Sequence, residues 1–162
     1  DDLPHFATLN ADPAVMEFFP GTPTEAESNS LALKLFNLIS KNGWGFWAAE
    51  CKADNKFIGF VGLHKCDANL PFSPAVEIGW RLSKAYWGKG YATEAAKSIA
   101  LAVSQTDNVS KISAIALEDN LASTKIMTKL GMKYIKTYMH TDPLGDIEAV
   151  YYEKDISHSV LV

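Results

Sequence analysis

The segment Tyr86-Trp87-Gly88-Lys89-Gly90-Tyr91-Ala92 carries the clearest chemical signal in the sequence. Its two glycines let backbone approach a ligand with no Cβ in the way. Small apolar residues begin to repeat at helical spacing from Ala92, so the loop delivers its glycines to a helix N-terminus. The first N–H groups of a helix have no internal acceptor and lie at the positive end of its dipole. Such a turn suits an anion, and Lys89 adds a charge, so a phosphate or pyrophosphate is the natural ligand. Spacing does not say which one. Gly88-Lys89-Gly90 does not supply GxxxxGK[ST], and GxGxxG fails at its third glycine, where Thr93 stands. No acid ends the next strand at the distance a dinucleotide site requires. A glycine-rich turn without a ligand stays open on this segment alone.

Particular elements must position that loop. A strand from Ala75 to Leu82 feeds it, and a helix bearing Ala92, Ala95, Ala96, Ile99, Ala100 and Val103 leaves it. The small size of those residues implies a helix pressed closely onto a sheet. Near the start, Asp12-Pro13 reads as a helix beginning, with a short helix to about Phe18 and a stop at Pro20-Gly21. Thr24-Glu25-Ala26-Glu27 has capping-box spacing. It predicts a second helix to about Lys41, with Leu31, Leu35, Leu38 and Ile39 on one side and Gly43 just past its end. Trp44 to Cys51 and Lys56 to His64 read as strands joined by the turn Lys52-Ala53-Asp54-Asn55. The break from Pro71 to Pro74 precedes the third strand.

Beyond the Ala92 helix, Lys111 to Leu117 is a short apolar strand. Asn120 caps a helix that ends at Leu130, with Gly131 as its stop. Met132 to Met139 and Ile147 to Glu153 form a last antiparallel pair around Asp142-Pro143 and Gly145. The strand–helix–strand unit from Ala75 to Leu117 requires a parallel pair with a right-handed crossover. The other connections are antiparallel, so the expected fold is α/β with a mixed sheet (α+β), one domain over residues 1–162.

Bulk properties narrow the classes. A chain of 162 residues with 48% hydrophobic and 21% charged residues can bury one real core. No apolar run approaches the roughly 18 residues that span a bilayer, so no membrane role is expected. The chain opens with Asp1-Asp2-Leu3-Pro4, without a signal-peptide pattern and without Met, so an upstream piece is expected to have been removed. The formal charge of −4 comes without any Lys/Arg cluster, which argues against a nucleic-acid partner. Cys51 and Cys66 form no CxxC pair, and His64 beside Cys66 is too little for a metal site, so no metal is expected. Reduced thiols in a cytoplasmic protein are the expectation, as a monomer or homodimer.

At this point the sequence resembles a known superfamily. Val76-Glu77-Ile78-Gly79-Trp80-Arg81-Leu82 followed by Tyr86-Trp87-Gly88-Lys89-Gly90-Tyr91-Ala92-Thr93-Glu94-Ala95 is similar to the GCN5-related N-acetyltransferases (GNAT). The nearest branch is that of the ribosomal-protein-alanine acetyltransferases. The superfamily's phosphate loop reads [QR]xxGx[GA], and Trp87, Gly90 and Ala92 occupy those positions. Trp87 departs from the pattern, which leaves a cradle built from backbone N–H groups intact. Asn120-Leu121-Ala122-Ser123, continuing to Lys129-Leu130-Gly131-Met132, resembles the superfamily's next motif.

The resemblance covers nearly the whole chain and implies a set of roles. Acetyl-coenzyme A would be the co-substrate, with its diphosphate on Trp87, Gly88, Lys89, Gly90, Tyr91, Ala92 and Thr93. The strand from Ile78 to Leu82, with Trp80 and Leu82, would lie along the thioester, its backbone N–H groups meeting the developing oxyanion. Asn120 would contact the pantetheine arm; read alone, it is a helix cap. The acetyl group would pass to a primary amine of a protein N-terminus or a small molecule, by direct attack in a ternary complex. The acceptor side would be shaped by Phe18-Phe19-Pro20-Gly21-Thr22, with Trp44 and Trp47 nearby. An acyl-coenzyme A sensor without turnover is the alternative.

An alkyl ammonium, with a pKa near ~10.4, must lose a proton before it attacks. Glu77 is the leading base, because glutamates on this strand serve so in several members; pairing with Arg81 or a neighbouring strand is its structural alternative. His64 is the second candidate, with an intrinsic pKa of ~6.5. Many members carry a Tyr acid seven residues after the motif Asn, whereas this chain has Met127. Ser123 is the nearest hydroxyl, unless it serves only a local backbone bond. The family fold also begins with a strand ahead of its first helix, which this chain lacks, leaving a bare sheet edge.

Overall fold

The computed structural model describes residues 1–65, 76–105, 109–142 and 145–156. Cys66, Ala75 and the Pro71 to Pro74 break lie outside them, as does Pro143 in the last turn. Helix α1 is Leu3–Ala11 and α2 is Glu25–Asn42. Strands β1, β2 and β3 are Phe46–Cys51, Lys56–Lys65 and Val76–Leu82. A 3₁₀ turn at Lys84–Tyr86 leads to α3, Tyr91–Ser104. Then come β4 (Lys111–Ala116), α4 (Leu121–Lys129), β5 (Lys133–Asp142) and β6 (Gly145–Asp155).

The six strands form one sheet in the order β1-β2-β3-β4-β6-β5. Only β3 and β4 pair in parallel; the other neighbours are antiparallel, as the mixed sheet requires. Strand β1 forms one sheet edge, and no described strand precedes α1. Among the described residues, no helix is long and apolar enough to cross a membrane.

The first helix is a correction. Asp12-Pro13 does not begin a helix; α1 runs ahead of it, with Pro4 in its first turn and Asp12 at its end. The Asp12 carboxylate accepts from Ala14 N at 2.9 Å, so it caps a turn rather than a helix. The N-cap expected at α2 holds: Thr24 Oγ1 accepts from Glu27 N at 3.2 Å, and Gly43 closes the helix at φ 79°.

Alternation along β3 divides the interior. Ile78 and Leu82 join the main core with Ala92, Ala96 and Ala100 of α3 and Met127 of α4. Phe6 and Leu9 of α1 pack on Phe60 of β2 on the other face. Ala96 is 0% exposed, and such small contacts let the α3 backbone approach the sheet closely. Met127 is 1% exposed within this core, where its flexible thioether fills apolar space.

Candidate active site

Strand β3 is laddered to β2 along its whole length, from Lys65↔Val76 to Gly59↔Leu82. Among the described residues, its ladder to β4 holds only Val76↔Ile112 and Glu77↔Ser113. The rest of β4 stays paired with β6. The seam between β3 and β4 therefore opens beyond Glu77, toward the end of β3 where the glycine loop begins. Backbone along an opened seam must find partners elsewhere, which makes it a place for an extended polar ligand.

The loop that follows is held from three sides. Trp87 Nε1 donates to Leu82 O at 2.8 Å, tying the loop to the end of β3. Tyr86 OH donates to Asp54 Oδ2 at 2.8 Å, and Cys51 Sγ lies 3.5 Å from Tyr91 OH. Both bonds reach the β1–β2 hairpin. The Tyr86 hydroxyl holds the Asp54 carboxyl below its ordinary value, and the same bond pushes the Tyr86 phenol up. The Tyr91 phenol is raised by its bond to Cys51.

Gly88 and Gly90 adopt φ of 72° and 82°. A Cβ added at either would meet nothing within 4 Å, so glycine is needed there for backbone shape rather than for space. Gly90 is the N-cap of α3 and offers no side chain to its first turn. The N–H groups of Tyr91, Ala92 and Thr93 are thus left to a ligand or to water. Lys89 is exposed, with its ammonium 5.6 Å from the Tyr86 ring centre. This open, donor-rich turn at the head of a 14-residue helix fits a diphosphate.

Asn120 begins α4, and its Oδ1 accepts from Ser123 N at 3.3 Å. The cap reading is therefore correct for that oxygen. On the face toward α3 and α4, Trp80 Nε1 donates to Ser123 Oγ at 3.2 Å. That bond spans the opened seam from β3 to the helix that follows β4.

On the opposite face, Glu77 and His64 stand as direct partners in the β2–β3 register. His64 Nε2 lies 3.3 Å from Glu77 Oε2, with side-chain exposures of 37% and 15%. The two base candidates are one pair. Arg81 on the same face donates to Asn10 Oδ1 at 2.7 Å, and its guanidinium lies 4.5 Å from the Phe19 ring centre. Asn10 is fully buried and also donates to Ser28 Oγ at 2.9 Å. This polar knot ties α1, α2 and the Phe19 segment to β3.

The structure thus gathers the loop, Trp80, Ser123 and Asn120 at the seam and places Glu77 of β3 and His64 of β2 on the other face of the sheet. Sequence reasoning missed the braces Asp54–Tyr86, Cys51–Tyr91 and Trp87–Leu82, and the Asn10–Ser28–Arg81 knot. Among the described residues there is no cluster of His, Cys, Asp and Glu arranged to hold a metal.

A mixed sheet that parts beside a glycine turn at a helix head defines the class of this α/β domain. The chain belongs to the GNAT acetyltransferase family: its residues 1–133 match the acetyltransferase (GNAT) domain. YkkB of Bacillus subtilis is 29% identical over 139 residues, covering 85% of this chain and 78% of YkkB. FsC-acetyl coenzyme A-N(2)-transacetylase of Aspergillus fumigatus is 28% identical over 151 residues, covering 85% of this chain. The match takes in 62% of that enzyme, less than two thirds of its length. Ribosomal-protein-S5-alanine acetyltransferase from Vibrio fischeri shares the fold at a TM-score of 0.76 and 19% identity, covering 97% of this chain and 89% of its own.

Proposed function

We propose that this protein transfers the acetyl group of acetyl-coenzyme A to a primary amine on a protein N-terminus or a small molecule, by direct attack. The observation that carries this reading is the opened β3–β4 seam, which leads from Glu77 to the donor-rich turn at Gly88 and Gly90. Gly88 to Thr93 would hold the diphosphate, with Lys89 as a nearby cation. The pantetheine arm would follow the seam past Leu82 and Trp80. Asn120, whose oxygen is engaged by its own helix, would offer its amide N–H groups to that arm.

The amine would enter on the α1–α2 face, where Glu77 and His64 stand. Glu77 accepts its proton, directly or through water, with His64 holding the carboxylate. Nitrogen then attacks the carbonyl carbon, strand N–H groups receive the oxyanion, and the C–S electron pair leaves on sulfur. A thiolate, from a thiol of pKa near ~8.5, leaves without full protonation. Ser123 would supply a hydrogen bond to that sulfur, a role suited to a hydroxyl that is a far weaker acid than a thiol.

A screen of free-thiol release from acetyl-coenzyme A, over peptides, polyamines, aminoglycosides and small amino compounds, tests the reading. Amine-dependent release with at least one class is expected. Tight coenzyme binding with no release for any amine would favour a sensor instead.

A further inference from the structure

We infer that Trp80 is a positioning residue that orients the Ser123 hydroxyl toward the departing sulfur. The inference rests on the acetyl-transfer reading above. An indole N–H can only donate, and a hydroxyl has one O–H and two lone pairs. At 3.2 Å, Trp80 Nε1 occupies one lone pair of Ser123 Oγ, so the Ser123 hydrogen points away from the indole. Among the described residues no acceptor takes that hydrogen, although a helical serine commonly gives it to a carbonyl one turn back.

The surroundings restrict the geometry further. Ser123 sits in the first turn of α4, where Asn120 accepts its backbone N–H and fixes the turn. Trp80 is half-buried and packs against the main core, so its indole has little freedom to follow a moving partner. The bond bridges β3 and α4, residues 43 apart in sequence, across the seam where the two strands part. A thioester lying in that seam passes between them, and the Ser123 O–H is a side-chain donor left uncommitted at that crossing. No proton changes owner in this step. As the C–S bond breaks and its electron pair collects on sulfur, Ser123 donates a hydrogen bond and keeps its proton.

Trp80→Phe deletes the N–H and keeps an aromatic ring in the core, and Ser123→Ala deletes the hydroxyl. Hydrogen bonds to charged groups support a loss of roughly 10- to 100-fold in kcat for Ser123→Ala. Trp80→Phe should lose about 3- to 10-fold, from a hydroxyl no longer held in one orientation. Coenzyme A affinity by calorimetry should stay near wild type in both. The deciding measurement is the double variant, whose kcat should equal that of Ser123→Ala alone. Multiplying losses, or a Trp80→Phe defect confined to donor affinity or melting temperature, would overturn the inference. Unaltered kcat in Trp80→Phe would do the same. If Trp80→Phe does not fold, Ser123→Thr replaces it, and restored kcat relative to Ser123→Ala is required. A wild-type protein that binds coenzyme A yet acetylates no amine removes the underlying reading, and the inference with it.

Discussion

Substitutions at Gly90 separate two ways of damaging the glycine turn. Gly90 sits at φ 82° and ψ 5°, in the left-handed region, as the N-cap of α3. An alanine there costs roughly 1–2 kcal/mol of backbone strain. Steric terms add little, because a Cβ would meet no atom within 4 Å. If the loop relaxes to relieve the strain, coenzyme A affinity should fall by about 5- to 30-fold. If the fold bears it, the melting temperature should drop by roughly 2–8 °C with affinity kept. Proline is different, since its φ near −65° cannot match 82° and its own N–H is lost. Gly90→Pro should weaken binding by at least about 100-fold, the loss expected when two or more diphosphate hydrogen bonds fail. Calorimetric titration with coenzyme A, alongside thermal melts, reads both variants. A folded Gly90→Pro with wild-type affinity would place the diphosphate elsewhere. An alanine variant as defective as the proline variant would refute the argument from open space and retained donors.

Three other outcomes follow from the same geometry. Asn120→Ala should raise KM for acetyl-coenzyme A more than for the amine, while loss of its cap lowers stability by ~1 kcal/mol; an unchanged donor KM would leave the residue as a cap only. Glu77→Gln should cut kcat by ~10²–10⁴-fold with donor affinity kept, and His64→Gln should cost less. The reverse ranking would make the imidazole the base. Asp54 titrates below its ordinary 3.8 because of Tyr86, so its stabilisation is complete above that value and is lost as pH falls through the lower folded one. Carboxyl NMR should show that depression, and Tyr86→Phe should raise the Asp54 value; no change in the variant would contradict the brace.

The α2, α3 and α4 helices were legible because local chemistry marks their ends: Thr24, Gly90, Asn120 and Gly131 each act within one turn. The loop was legible for the same reason, since it is a short backbone device. Helix α1 was misread because Asp12-Pro13 satisfies the rules for a helix start and equally those for a turn, and only packing of Phe6 and Leu9 on Phe60 decides. The side-chain bonds that complete the site were not legible. Tyr86–Asp54, Tyr91–Cys51, Trp80–Ser123 and Arg81–Asn10 join residues 32, 40, 43 and 71 apart, so no local pattern announces them. Glu77 and His64 were each found as rivals, while their pairing depended on a β2–β3 register that periodicity alone does not set.

In the proposed reaction one acetyl group moves from the thioester to an amine in a single complex. Following free thiol and acetylated amine in the same reaction, with the best acceptor from the screen, tests it most directly. Equal amounts of both products over time, no appreciable thiol without amine, and a parallel slowing of both in Glu77→Gln are expected. Thiol release that proceeds without acetylated amine, or coenzyme binding with neither product, would contradict it.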